Sequence, residues 1–69
     1  MAAIDQALLL ELDRHPRSTA EELSRYLRGE APKAAVTRWL RSHEGWLVVR
    51  DTWRWRLSPQ GESFLAALD

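Results

Sequence analysis

Apolar residues near the start of the chain recur at helical spacing. Ile4, Leu8 and Leu12 stand four apart on one face, and Leu9 widens the stripe. The pattern predicts a helix over 2–14, with Leu10 pointing to the opposite side. His15-Pro16 ends it, because the residue before a proline is pushed out of the helical backbone region. Thr19-Ala-Glu-Glu22 has the form of a capping box, in which the Thr19 hydroxyl accepts from the Glu22 amide and the Glu22 carboxylate reaches back to the Thr19 amide. A second helix is expected to run to Leu27 with Ala20, Leu23 and Leu27 on its buried side. Gly29, in the connection 28–32, suits the left-handed residue that closes a helix. Pro32 suits the first turn of a third helix over 32–44, where its missing amide has no partner to lose. On that helix Val36, Trp39, Leu40 and His43 fall on one side, and Ala34, Thr37, Arg38 and Arg41 on the other. Gly45 breaks it.

The period then changes to two. Segments 46–50 and 53–57 alternate and are rich in β-branched and aromatic residues, which predicts two strands. With Asp51-Thr52 as the turn, Arg50 faces Trp53, Val48 faces Trp55 and Trp46 faces Leu57. Trp46, Val48, Trp55 and Leu57 then share the core face, and Leu47, Val49, Arg54 and Arg56 point outward. A slip of one residue would scatter the apolar set. Ser58-Pro59 starts a final helix with Phe64, Leu65 and Leu68 inward. The expected fold class is α+β, mostly α: a three-helix bundle, a two-stranded hairpin and a short C-terminal helix, in a single domain over 1–69.

Composition sharpens this picture. A 69-residue chain without cysteine has no disulfide or thiolate metal site to staple it, so its four tryptophans are the natural source of core area. Trp39, Trp46 and Trp55 are expected in the core, and Trp53 falls at the hairpin tip. The net charge is zero but unevenly spread. Segment 25–56 holds eight basic residues against three acidic ones, and both flanks are acidic. That distribution excludes coating a polyanion by bulk charge and is compatible with one directed basic face. The longest apolar run, 7–10, is far short of the roughly 20 residues a membrane span needs. An acidic N-terminus without a cleavage motif, and the absence of cysteine, lead to the expectation of a cytoplasmic protein that does not enter membranes. His15 and His43 are far apart, with no cysteine or clustered carboxylates to complete a metal shell. No nucleophile elbow or glycine-rich phosphate loop is present. Neither a cofactor nor enzymatic activity is expected.

Four segments, Thr19-Ala-Glu-Glu-Leu-Ser24, Ala35-Val-Thr-Arg-Trp-Leu40, Gly45-Trp-Leu47 and Trp55-Arg-Leu-Ser-Pro-Gln-Gly61, resemble in order and spacing the winged helix-turn-helix pattern of MarR- and ArsR-type bacterial transcription regulators. The resemblance covers nearly the whole chain. It implies that 36–40 lies on a recognition helix, that Gly45-Trp46 leads into a wing and that 56–61 closes it. It also implies double-stranded DNA as the partner and transcription regulation as the role. Lys33, Ala34, Thr37, Arg38 and Arg41 would then lie in or beside the major groove, where arginine can pair with guanine through two hydrogen bonds. Arg50, Trp53, Arg54 and Arg56 would be wing contacts, and Arg28 an auxiliary phosphate contact. The connection 28–32 is longer than the usual tight turn, the third helix is shorter, and His43 stands where an aliphatic residue is usual. The long first and last helices by which many such regulators dimerise are absent, although reading a palindrome calls for a homodimer. The alternative is a winged-helix protein-interaction module, with a protein partner at the wing, or an accessory subunit of a larger complex. The zero net charge and an aromatic residue among arginines at the tip fit that alternative.

Overall fold

Four helices and one antiparallel hairpin follow one another in the computed structural model, which describes residues 3–68: α1 (Ala3–Arg14), α2 (Ala20–Tyr26), α3 (Lys33–His43), β1 (Val48–Asp51), β2 (Arg54–Leu57) and α4 (Pro59–Ala67). The fold is α+β and mostly helical, with a two-stranded sheet. The expected helical start at residue 2 lies outside the described residues. Leu8, Leu9 and Leu12 of α1 are fully buried, Ile4 is half-buried, and Leu10 faces solvent, as the helical period requires.

α2 has only seven residues and would not persist alone. Its cap and its buried Leu23 hold it. Both arms of the capping box are made: Glu22 N donates to Thr19 Oγ1 at 3.1 Å, and Thr19 N donates to Glu22 Oε1 at 2.9 Å. Loss of such a cap typically costs about 1 kcal/mol. The Glu22 carboxyl is held below its ordinary range, chiefly by the Thr19 amide. Partial desolvation opposes this, while the Thr19 hydroxyl and the charges of Arg54 and Arg25 reinforce it. A depressed folded-state pKa adds stability above the unfolded pKa and loses it as pH falls through the folded one. Glu22→Gln is therefore expected to melt below the parent protein at neutral pH. The gap should close as pH is lowered into the range where Glu22 protonates, and a gap independent of pH would show that the carboxylate charge is not used.

The α2–α3 connection turns through two consecutive left-handed residues, Arg28 and Gly29, with φ of 55° and 82°. Ser24 Oγ donates to Ala31 O at 2.8 Å and closes the turn over the buried Ala31. Pro32 precedes α3 instead of opening its first turn. Its ψ of 161° is extended, and its carbonyl accepts from Val36 N at 3.0 Å, which is the role of the residue just outside a helix. The helix expected over 32–44 therefore spans Lys33–His43. Val36, Trp39 and Leu40 are buried, and the Trp39 indole N–H donates to Asp5 of α1.

The hairpin departs from the expected register. Val48 pairs with Leu57, Val49 with Arg56, Arg50 with Trp55 and Asp51 with Arg54, so the turn is Thr52-Trp53 rather than Asp51-Thr52. Thr52 supplies the positive φ, 64°, that tight hairpin turns demand. Asp51 stays in β1, where its carboxylate meets Arg17 at 3.3 Å. The pairing shifts by an even number of residues, so Val48, Trp55 and Leu57 still face the core.

The entry to the hairpin reverses two assignments. Residues 44–47 form a turn and not a strand: Gly45 has φ 81°, the amides of Trp46 and Leu47 both donate to His43 O at 3.1 Å, and Gly45 N donates to Val48 O at 2.9 Å. Strand alternation therefore does not reach back past Val48. Leu47, expected outward, is 2% exposed, whereas Trp46, expected in the core, is 50% exposed. The Trp46 ring stacks on His43 at 5.6 Å and meets Phe64 edge-on at 6.2 Å.

α4 begins as expected. Ser58 Oγ accepts from Gly61 N at 2.9 Å and donates to Trp46 O, Pro59 takes the first position, and Phe64, Leu65 and Leu68 pack half-buried on the core. One pairing was not expected. Ser18 N donates to Trp55 O at 3.0 Å and Trp55 N to Ser18 O at 2.7 Å, so the backbone between α1 and α2 adds a third edge beside β2. No helix among the described residues is long and apolar enough to cross a membrane.

Candidate nucleic-acid interface

Positions four apart on a helix lie almost in line. On α3 that line is Lys33, Thr37 and Arg41, along the flank of the exposed side. The hairpin presents Arg50 opposite Trp55, so these two share a face. The Ser18–Trp55 pairing draws the start of α2 against the same place. Together, Thr19, Ala20 and Glu21 of the α2 start, Lys33, Thr37 and Arg41 of α3, and Arg50, Trp53 and Trp55 of the hairpin line an open groove of about 330 Å³.

Three cations, Lys33, Arg41 and Arg50, face one carboxylate, Glu21, across this groove. Arg50 Nε lies 3.7 Å from Glu44, and its guanidinium carbon sits 5.9 Å from the centre of the Trp55 ring. Both Arg50 and Glu44 are solvent-exposed, so this ion pair is worth under about 1 kcal/mol and an incoming anion can compete for it. Lys33 and Arg41 have no carboxylate within 4.0 Å among the described residues. Trp53 stands at the tip, 70% exposed. The chemistry available is attraction and hydrogen-bond donation to an anionic chain, with a flat aromatic ring at the rim.

The groove gathers five of the ten residues singled out from the sequence: Lys33, Thr37, Arg41, Arg50 and Trp53. Ala34 and Arg38 are exposed on α3 beside the groove and do not line it. Arg54 and Arg56 lie on the opposite hairpin face, since side chains alternate along β2. The Arg54 guanidinium donates to Arg17 O at 2.9 Å and meets Glu22 at 3.3 Å. Arg56 borders a separate shallow depression with Leu12, Asp13, Pro16, Leu57 and Glu62. Arg28 joins Arg14, Arg25 and the stacked His15–Tyr26 pair in another depression between α1 and α2.

Thr19, Ala20, Glu21 and Trp55 were not singled out as site residues. The capping box does mark where α2 starts. What it does not carry is the Ser18–Trp55 pairing that brings this start to the hairpin. Among the described residues, no group of three or more histidines, cysteines or carboxylates is placed to hold a metal ion. Comparison of the chain with protein-family models, with curated proteins and with solved structures gave no significant match.

Proposed function

We propose that this chain is a winged helix-turn-helix domain that binds double-stranded DNA and serves as a small transcription regulator. The observation that supports this reading best is the groove in which Lys33, Thr37 and Arg41 of α3 meet Arg50 and Trp53 of the hairpin. In this reading α3 is the recognition helix, since the major groove of B-DNA, about 12 Å wide, admits one helix. The hairpin is the wing. Lys33, Arg41 and Arg50 neutralise phosphates, while Arg38 and Ala34, exposed on the same helix, are free to approach base edges. Arg54 contributes by bracing the tip from behind through Arg17 and Glu22. A palindromic site would call for two copies of the chain.

Titration with duplex DNA tests the reading. Backbone NMR signals of Thr37, Arg41 and Arg50 should shift at low salt, and affinity should fall steeply as salt rises. Arg41→Ala should weaken binding roughly 10-fold and reduce the salt slope by about 1, with the melting temperature retained because the side chain is exposed. Absence of shifts at these residues would remove the DNA reading.

A protein-interaction module is the second reading, favoured by one observation. Trp46 lies half-exposed in a stack with His43 and Phe64, away from the cationic groove. Aromatic side chains of this kind anchor protein partners. A partner that shifts Trp46 and Phe64 while leaving Thr37 and Arg41 unchanged would support this reading over the first.

A further inference from the structure

Trp53 is the most exposed large apolar side chain among the described residues. At the strand ends that flank the tip, Asp51 meets Arg17 in an exposed ion pair at 3.3 Å, and Arg54 donates to the Arg17 carbonyl at 2.9 Å. Thr52 holds a left-handed backbone, φ 64°, directly before it. The ring is thus presented at the rim of a groove that also holds Lys33, Arg41 and Arg50.

We propose that Trp53 is a base-stacking residue and that it gives the groove a preference for duplex DNA with an exposed base face, such as a single-stranded tail, over uninterrupted duplex. The proposal rests on the DNA reading above. The minor groove of B-DNA is only about 6 Å wide, and an indole stacks inside intact duplex only after a base step is pulled apart. Where strands separate, a base face is already free. Every base has such a face, so stacking tolerates any sequence. The neighbouring cations suit the phosphates on either side of the stacked base. Around Trp53 the groove combines the cations Lys33, Arg41 and Arg50 with Ala20 and the Trp55 ring.

The test compares the full chain with Trp53→Ala, Trp53→Leu and Trp53→Phe on two probes: a short duplex carrying a single-stranded tail, and a relaxed closed DNA circle without ends. Trp53→Ala and Trp53→Leu should each bind the tailed duplex about 10-fold more weakly, the size of one lost base–aromatic stack, while Trp53→Phe stays close to the parent. Affinities for the circle should fall by a clearly smaller factor than those for the tailed duplex. Indole emission should be quenched by the tailed duplex in the parent protein and much less in Trp53→Phe. Equal losses on both probes, no loss on the tailed duplex, or full rescue by leucine overturns the stacking role while leaving the DNA reading intact. Binding of the parent chain to neither probe overturns the DNA reading and this proposal together, and leaves Trp53 as a contact for a protein.

Discussion

Trp55→Ala is expected to lower stability by about 3–5 kcal/mol, the cost of emptying a buried tryptophan site. A 69-residue domain has roughly 3–10 kcal/mol in total at the usual stability per residue, so this one change should leave a large fraction of molecules unfolded near physiological temperature. Three observations place the cost at Trp55. The side chain is only 5% exposed, within the cluster that joins all four helices to the hairpin. Its backbone exchanges both hydrogen bonds with Ser18, and in the sheet it stands opposite Arg50 of β1. The same residue lines the cationic groove beside Arg50. Alanine keeps the backbone bonds and loses the ring, so the hairpin would stay tethered while its packing on the core is lost. Thermal or denaturant unfolding measures this directly. A melting temperature within a few degrees of the parent, where each kcal/mol is worth about 4–8 °C, would show that the ring carries little of the core.

Gly61→Ala is expected to destabilise by about 2–3 kcal/mol, although alanine is ordinarily the better helix former by up to about 1 kcal/mol. Gly61 lies in the first turn of α4 and is buried. A methyl group built there would land on the carbonyl oxygen of Leu47, 3.0 Å from its carbonyl carbon and 3.3 Å from Leu57 Cδ2. That carbonyl also accepts from Ser58 N at 3.0 Å, so it cannot swing aside without giving up the start of α4. A flexible side chain would yield, but a bonded backbone does not. The expected fall in melting temperature is about 10–20 °C at the usual conversion for a domain of this size. An unchanged or raised melting temperature would show that α4 can move off the hairpin entry at little cost.

These two residues stood differently in the sequence. Trp55 was legible as core because it lies on the same parity as Val48 and Leu57, and an even shift of register cannot change parity. Gly61 carried no such signal. Its need for a bare Cα comes from Leu47, fourteen residues earlier, and Leu47 itself was assigned to the wrong side. The alternation runs on without interruption through Trp46, Leu47 and Val48, and nothing local marks the point where Gly45 turns the backbone and both following amides converge on His43 O. The observed turn, Thr52-Trp53, satisfies the same apolar pattern as the expected Asp51-Thr52. The observed turn is accompanied by an ion pair between Asp51 and Arg17, residues distant in sequence.

The candidate site divides along the same line. Helical period placed Thr37 and Arg41 together, whereas Arg50 was grouped with Arg54 and Arg56 as a wing contact although strand period separates them. The union of Lys33, Thr37 and Arg41 with Arg50 into one groove could not be read, because it depends on Ser18 pairing with Trp55 and drawing α2 to the hairpin.

By itself the sequence determined the order of elements, the caps that open α2 and α4 and the inward faces of the helices. Each of these depends on residues within a turn or two, where a cap oxygen meets an amide or a period meets the core. Only the tertiary structure decided the hairpin register, the exchange of Trp46 for Leu47, the closeness of Gly61 to the backbone and which cations share a groove. These depend on contacts between segments far apart in the chain, whose energies compare alternatives that local patterning leaves equal.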